Sequence, residues 1–107
     1  MNIDKECVAL CEAINKVKGV RTVESCCGHG ETPFRIWLRP DNVDDLLPVL
    51  YYIDECHCGC YEWKCKIYTN CSMDGVTYMI EGPIGQPAYY DANRIAQLIN
   101  EYVEEEQ

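Results

Sequence analysis

Thiols, imidazoles and glycines are concentrated in two short stretches of this chain. The first, Ser25-Cys26-Cys27-Gly28-His29-Gly30, sets a hydroxyl, two thiols, an imidazole and two glycines within six residues. The second, Asp54-Glu55-Cys56-His57-Cys58-Gly59-Cys60-Tyr61-Glu62, adds three thiols and the other histidine. Three kinds of chemistry use such residues. Soft donors bind zinc or another thiolate-seeking ion, and here the set is Cys26, Cys27, His29, Cys56, His57 and Cys58. The spacings C-C-x-H and C-H-C-x-C are not C-x2-C knuckles, so a zinc ion is expected to draw one pair from each loop. A cysteine beside a histidine is the second case, an activated nucleophile, although no orienting Asn or Asp can be assigned to it. The third is anion binding. Gly28-His29-Gly30 can turn successive backbone N–H groups toward one point, and Gly82-Pro83-Ile84-Gly85 lies between a strand and a helix, where free N–H groups favour negative charge.

Few cations are available to assist an anion. Arg35 leaves the first loop on its outgoing strand and can reach back over it, while Arg21, Arg39 and Arg94 are further candidates. Tyr51, Tyr52, Tyr61, Tyr89 and Tyr90 can stack on a planar ligand. The ligand-binding set is therefore Ser25, Gly28, His29, Gly30, Arg35, Gly82 and Gly85, with no catalytic residue assigned.

The elements that must position these loops follow from hydrophobic periodicity. Ile3, Cys7, Leu10, Ile14 and Val17 recur at steps of three and four, which predicts a helix over 3–18 with Asn2 as cap and Gly19 beyond its end. Cys7 and Cys11 share that face as small core residues. Val20 to Cys26 reads as a strand. Phe34, Ile36 and Leu38 alternate with Arg35, Trp37 and Arg39, so the loop between closes a hairpin. Val43, Leu46, Leu47, Leu50 and Ile53 have helical spacing, with a kink or a short first turn at Pro48. Trp63, Cys65 and Ile67 alternate with Lys64, Lys66 and Tyr68, and the turn at Asp74-Gly75 leads into a strand over Val76 to Glu81. Trp63 and Ile67 should face the helices with Ile36 or Trp37, at a cost of roughly 2–4 kcal/mol for Ile67→Ala. Ala88, Ala92, Ile95, Ile99 and Tyr102 stripe a last helix whose tail, Glu104 to Gln107, should fray.

The order is αββαββα, an α+β two-layer sandwich with a small antiparallel sheet of two hairpins and helices on one face. With 107 residues the chain makes one domain, 1–107. The formal charge is −9, which argues against a nucleic-acid partner and for solubility or contact with a basic protein surface. No apolar run nears the ~20 residues of a membrane helix, and the charged start Met1 to Glu6 lacks a leader's apolar region. A cytoplasmic location follows, where thiols stay reduced, and nine cysteines, an odd number, then read as core, metal or reactive groups.

The first loop, with Pro33-Phe34-Arg35-Ile36-Trp37, resembles that of short phage and prophage proteins. The likeness continues through Leu47 to Tyr52, Cys56-His57-Cys58-Gly59 and Ile80 to Gly85, and so spans nearly the whole chain. It transfers no activity, but implies a small accessory protein acting in the host cytoplasm by binding something of the host. Ser25-Cys26-Cys27-Gly28 is also similar to the serine-cysteine-glycine motif of the wybutosine-synthesising methyltransferase that modifies transfer RNA, where arginine follows in place of His29. The leading expectation is a phage-type, non-enzymatic binding protein that sequesters a small anionic, nucleotide-like ligand of host defence signalling. The alternatives are an acidic protein that inhibits a host protein, with zinc pinning its cysteine loops, and a thiol-dependent enzyme. A homo-oligomer is left open.

Overall fold

The structure is a computed structural model that describes residues 3–55, 63–73 and 75–106, the side chains of 69–72 excepted. Helix α1 spans Lys5–Asn15 and buries Cys7, Leu10, Cys11, Ala13 and Ile14, the face its periodicity demands. Asp4 takes the N-cap position, but its carboxylate caps nothing in the helix. The expected cap, Asn2, lies outside the described residues. Ile3 is half exposed, so the apolar stripe begins one turn later than the spacing predicts. Past the helix end the chain reverses through Gly19, whose φ of +84° suits glycine. The side chain of Asn15 clamps this corner, donating to Thr22 Oγ1 and accepting from Thr22 N, both at 2.8 Å.

Strands β1 (Val20–Cys26), β2 (Pro33–Pro40), β3 (Lys64–Ser72) and β4 (Gly75–Ile84) form one antiparallel sheet in the order β1-β2-β4-β3. Between the hairpins a 3-10 turn at Val43–Leu46 runs into α2, Leu47–Glu55. Pro48 lies in the first turn of α2, where its missing N–H costs nothing, and the short first turn expected there is the 3-10 segment. That break rotates the apolar face. Leu46, Val49 and Ile53 are buried, whereas Val43 and Leu47 face water.

Helix α3 runs from Gln86 to Glu106, so the acidic tail expected to fray stays helical. Ala88, Ala92 and Ala96 give it a shallow face, which lets it pack closely against α1. The core lies between these helices and the sheet face of Phe34, Ile36, Leu38 and Ile80, all fully buried. Phe34 is its hub, with Trp63 edge-on at 5.6 Å and Tyr89 at 6.3 Å.

Two expectations fail here. Gly82 and Pro83 do not form a loop, because β4 continues to Ile84, which pairs with Pro33. Ile67 is not in the core: it is 63% exposed, and Cys65 is exposed too. Alternation assigned Ile67 and Ile36 to the same side of the sheet, but β3 is an edge strand, and among the described residues it packs closely on β4 alone.

The other face of the sheet is uncovered among the described residues and is ordered by register into three rows. They read Arg21-Arg39-Thr77-Tyr68, then Glu24-Trp37-Met79-Lys66, then Cys26-Arg35-Glu81-Lys64. A bulge at Val23 keeps β1 in step with this pattern.

Candidate functional site

The first cysteine loop leaves β1 at the end of the sheet near the start of α1. Ser25 pairs with Ile36 on the helix side and hydrogen-bonds the thiols of Cys7 and Cys11. Its hydroxyl therefore faces the helix side of the sheet. Burial pushes the Cys7 thiol up to about 12 and raises that of Cys11, so both act as neutral core groups.

After Cys27 the backbone turns left-handed for three residues, with φ of +81° at Gly28, +53° at His29 and +80° at Gly30. Glu31 N and Thr32 N close the turn on Gly28 O at 2.9 and 3.1 Å. Gly28 has a second reason to be glycine, since a Cβ there would meet Pro33 O at 3.0 Å. His29 is the only other residue type with positive φ among the described residues, a conformation costing an L-residue roughly 1–2 kcal/mol.

The turn folds its own donors onto sulfur. Gly28 N–H donates to Cys26 Sγ at 3.4 Å, and His29 N–H donates to Cys27 Sγ at 3.3 Å. Asp4 reaches across from α1, and its Oδ2 accepts Cys27 N–H at 3.0 Å. That hydrogen bond is the main reason the Asp4 carboxyl sits below its ordinary value. His29 stands between acid and thiol, with Nε2 at 3.9 Å from Asp4 Oδ2 and Nδ1 at 3.7 Å from Cys27 Sγ. Asp4, Cys26 and His29 each present one ligand atom, and these three atoms all lie within 4.8 Å of one another. Behind them Tyr89, one turn into α3, donates to Cys27 O at 3.5 Å, and burial first of all raises its phenol.

No family model, curated protein or solved structure matches the chain. Its chemistry must be read from the geometry.

The nucleophile reading gains the acid it lacked, because Cys27, His29 and Asp4 stand in line. The thiol is 3% exposed, however, and burial raises it, which is the opposite of activation. The anion reading loses donors. The N–H groups of Gly28 and His29 go to sulfur, and those of Ala88 and Tyr89 go to Gly85 O at 2.9 and 3.2 Å. Pro87 has none. Arg35 lies next to Cys26 in register but binds Glu81, Nε to Oε2 at 3.0 Å, and Glu81 is held low by it and by Lys66. The metal reading gains a ligand. Carboxylate, thiol and imidazole converge from two segments more than twenty residues apart. Tetrahedral zinc bonds of about 2.0–2.3 Å set donors roughly 3.3–3.8 Å apart, a closure within reach of the His29 ring, whose side chain is 69% exposed.

Of the expected residues, Ser25, Cys26, Cys27, Gly28, His29 and Gly30 share one end of the molecule. Gly85 joins them through Tyr89, whose N–H binds Gly85 O and whose hydroxyl reaches Cys27 O. Gly82 does not take part as a free loop donor, since it lies in β4 beneath the Trp63 ring. Cys56, His57 and Cys58 lie outside the described residues. Asp4 was not anticipated as a site residue, and Tyr89 was named only as a ring that could stack on a planar ligand, whereas here its hydroxyl reaches Cys27 O. Asp4 had a sequence signal, an acid immediately before a helical apolar pattern.

Proposed function

We propose that the protein is a small, non-enzymatic binding protein whose α1–β1/β2 corner takes a zinc-type divalent cation through Asp4, Cys26 and His29. The observation that carries this is the convergence of carboxylate, thiol and imidazole atoms within 4.8 Å from sequence-distant segments. Three further features support it. The Gly28 N–H donates to Cys26 Sγ at 3.4 Å and so fixes that sulfur beside the other two donors. The Asp4 carboxyl is held low and stays ionised at neutral pH. The left-handed His29 carries backbone strain that a metal–imidazole bond would offset.

Three protein donors leave a fourth position for water or for a group on a partner. The cation would fasten the start of α1 to the loop, so its role is to stiffen a binding surface. The likeness to short phage and prophage proteins supports an accessory protein that acts by binding in a host cell. Sequestration of a small anion is the weaker reading, because the loop's donors are already engaged.

The test is native mass spectrometry of protein loaded with zinc, together with cobalt substitution. One equivalent of metal is expected, with a thiolate-to-cobalt absorption band that Cys26→Ser abolishes. His29→Ala and Asp4→Asn should each weaken zinc by tenfold or more. Less than a tenth of an equivalent in folded protein, or a band that survives Cys26→Ser, would overturn the assignment.

A further inference from the structure

A charge of −9 speaks against a polyanion only if the charges are spread evenly, and they are not. Five of the nine basic residues, Arg21, Arg35, Arg39, Lys64 and Lys66, fall on the uncovered sheet face. Among the described residues only two acids, Glu24 and Glu81, share its rows, with Asp41 at the rim 3.8 Å from Arg21. The molecule measures 34 × 33 × 27 Å, several times the ~8 Å over which salt screens charge. A ligand on this face therefore meets the local cations and not the acidic helices.

The centre of the face is aromatic. Trp37 lies in its middle row, Tyr68 packs edge-on against it at 6.1 Å, and Met79 is its register partner. Among the described residues the Trp37 indole N–H is buried with no hydrogen-bond partner, a donor still to be satisfied. Cations flank the aromatics, Arg21 and Arg39 on one side and Lys64 on the other, where Arg35 is held by Glu81.

We infer that the uncovered sheet face, centred on Trp37 and Tyr68, is a docking surface for single-stranded nucleic acid. The π-faces of unpaired bases fit the aromatics, and the phosphates on either side fit the flanking cations. A flat face of this kind has no element to enter a duplex groove, so paired strands are excluded. An acidic protein surface would satisfy the cations but leave the stacking platform without a partner. The inference does not rest on the metal, and its test is run in a chelator so that the two stand or fall separately.

The experiment is fluorescence anisotropy with short labelled oligo(U), oligo(dT), an abasic strand and a duplex of equal length. Both base-bearing single strands should bind, and the abasic strand and the duplex at least tenfold more weakly. About three phosphate contacts imply roughly twentyfold weakening between about 50 and about 200 mM salt. Tighter binding of oligo(U) would mean that the 2′-hydroxyl is read, and equal binding that the sugar is not; either supports the inference. Trp37→Leu should weaken binding at least fivefold, and the exposed pair Lys64→Glu/Lys66→Glu, which leaves the core intact, at least tenfold. No single-strand binding at about 50 mM salt overturns the inference, as does binding unchanged by the lysine pair. Equal binding of the abasic strand and of polyglutamate also overturns it, and would assign the face to an acidic protein.

Discussion

Replacing Gly82 by alanine would set a methyl carbon 2.7 Å from Trp63 Cη2 and 2.8 Å from Cζ2 and Cζ3. The backbone tolerates the change, since Gly82 has no left-handed φ; the obstacle is the indole. That ring cannot simply withdraw. Its Nε1–H donates to Asp91 Oδ2 at 3.0 Å, Asp91 is 4% exposed, and the ring edge rests on fully buried Phe34. Overpacking of this kind costs about 1–3 kcal/mol, and loosening a hydrogen bond to a buried carboxylate about 1.5–3. The two overlap, because one ring movement serves both, so a loss of about 2–4 kcal/mol is expected. In a domain of this size that lowers the melting temperature by roughly 10–20 °C. Urea unfolding read by near-ultraviolet circular dichroism of the tryptophans measures it. Gly85→Ala is the control, since its Cβ meets nothing within 4 Å and only the φ of +76° resists it, at about 1 kcal/mol. If Gly82→Ala lay within half a kilocalorie of the wild type, or Gly85→Ala cost more, the packing argument would be wrong.

Phe34→Ala should cost about 3–5 kcal/mol by denaturant unfolding, because it empties the centre of the Trp63–Tyr89 cluster. Ile67→Ala, by contrast, should stay within about 0.5 kcal/mol, since the side chain is largely in water. The Asp4 carboxyl titrates below its ordinary value in the folded protein, so its contribution is present above that value, 3.8, and is lost as pH falls through the lower folded one. The urea midpoint should therefore drop on acidification below about pH 4. Asp4→Asn should remove part of that drop and leave the part due to Glu81, which is shifted the same way by Arg35.

The elements were readable from the sequence because each carries a local signature. Alternation over Phe34, Ile36 and Leu38 and steps of three and four through Cys7, Leu10 and Ile14 have a single geometric solution each. Burial was less readable. Alternation gave Ile67 its face but not whether a helix covers it, and that depends on β3 being placed outside β4. Gly82 read as a loop because Gly-Pro usually breaks a strand, and nothing local announces that Trp63 needs the space above it. At the site, Gly-His-Gly read as a nest of free N–H donors beside two thiols, and what local pattern did not show is that the left-handed turn folds those donors onto the sulfurs. Asp4 was hidden because its partner is a backbone N–H more than twenty residues away, a contact that only the packing of α1 on β1 creates.

The nine-residue edge strand β3 also bears on how the protein behaves in a crowded solution. Among the described residues no strand pairs with its outer edge, and Ile67 and Tyr68 stand exposed beside it, the arrangement by which sheets recruit further strands. Lys64 and Lys66 alternate with Cys65 and Ile67 and act as gatekeepers, because two copies pairing edge to edge would bring ammonium groups together. Neutralising them, by acetylation for instance, would remove the guard and part of the cationic face in one step. Colloidal stability and surface chemistry are thus carried by the same two side chains, and neither can drift in sequence without the other.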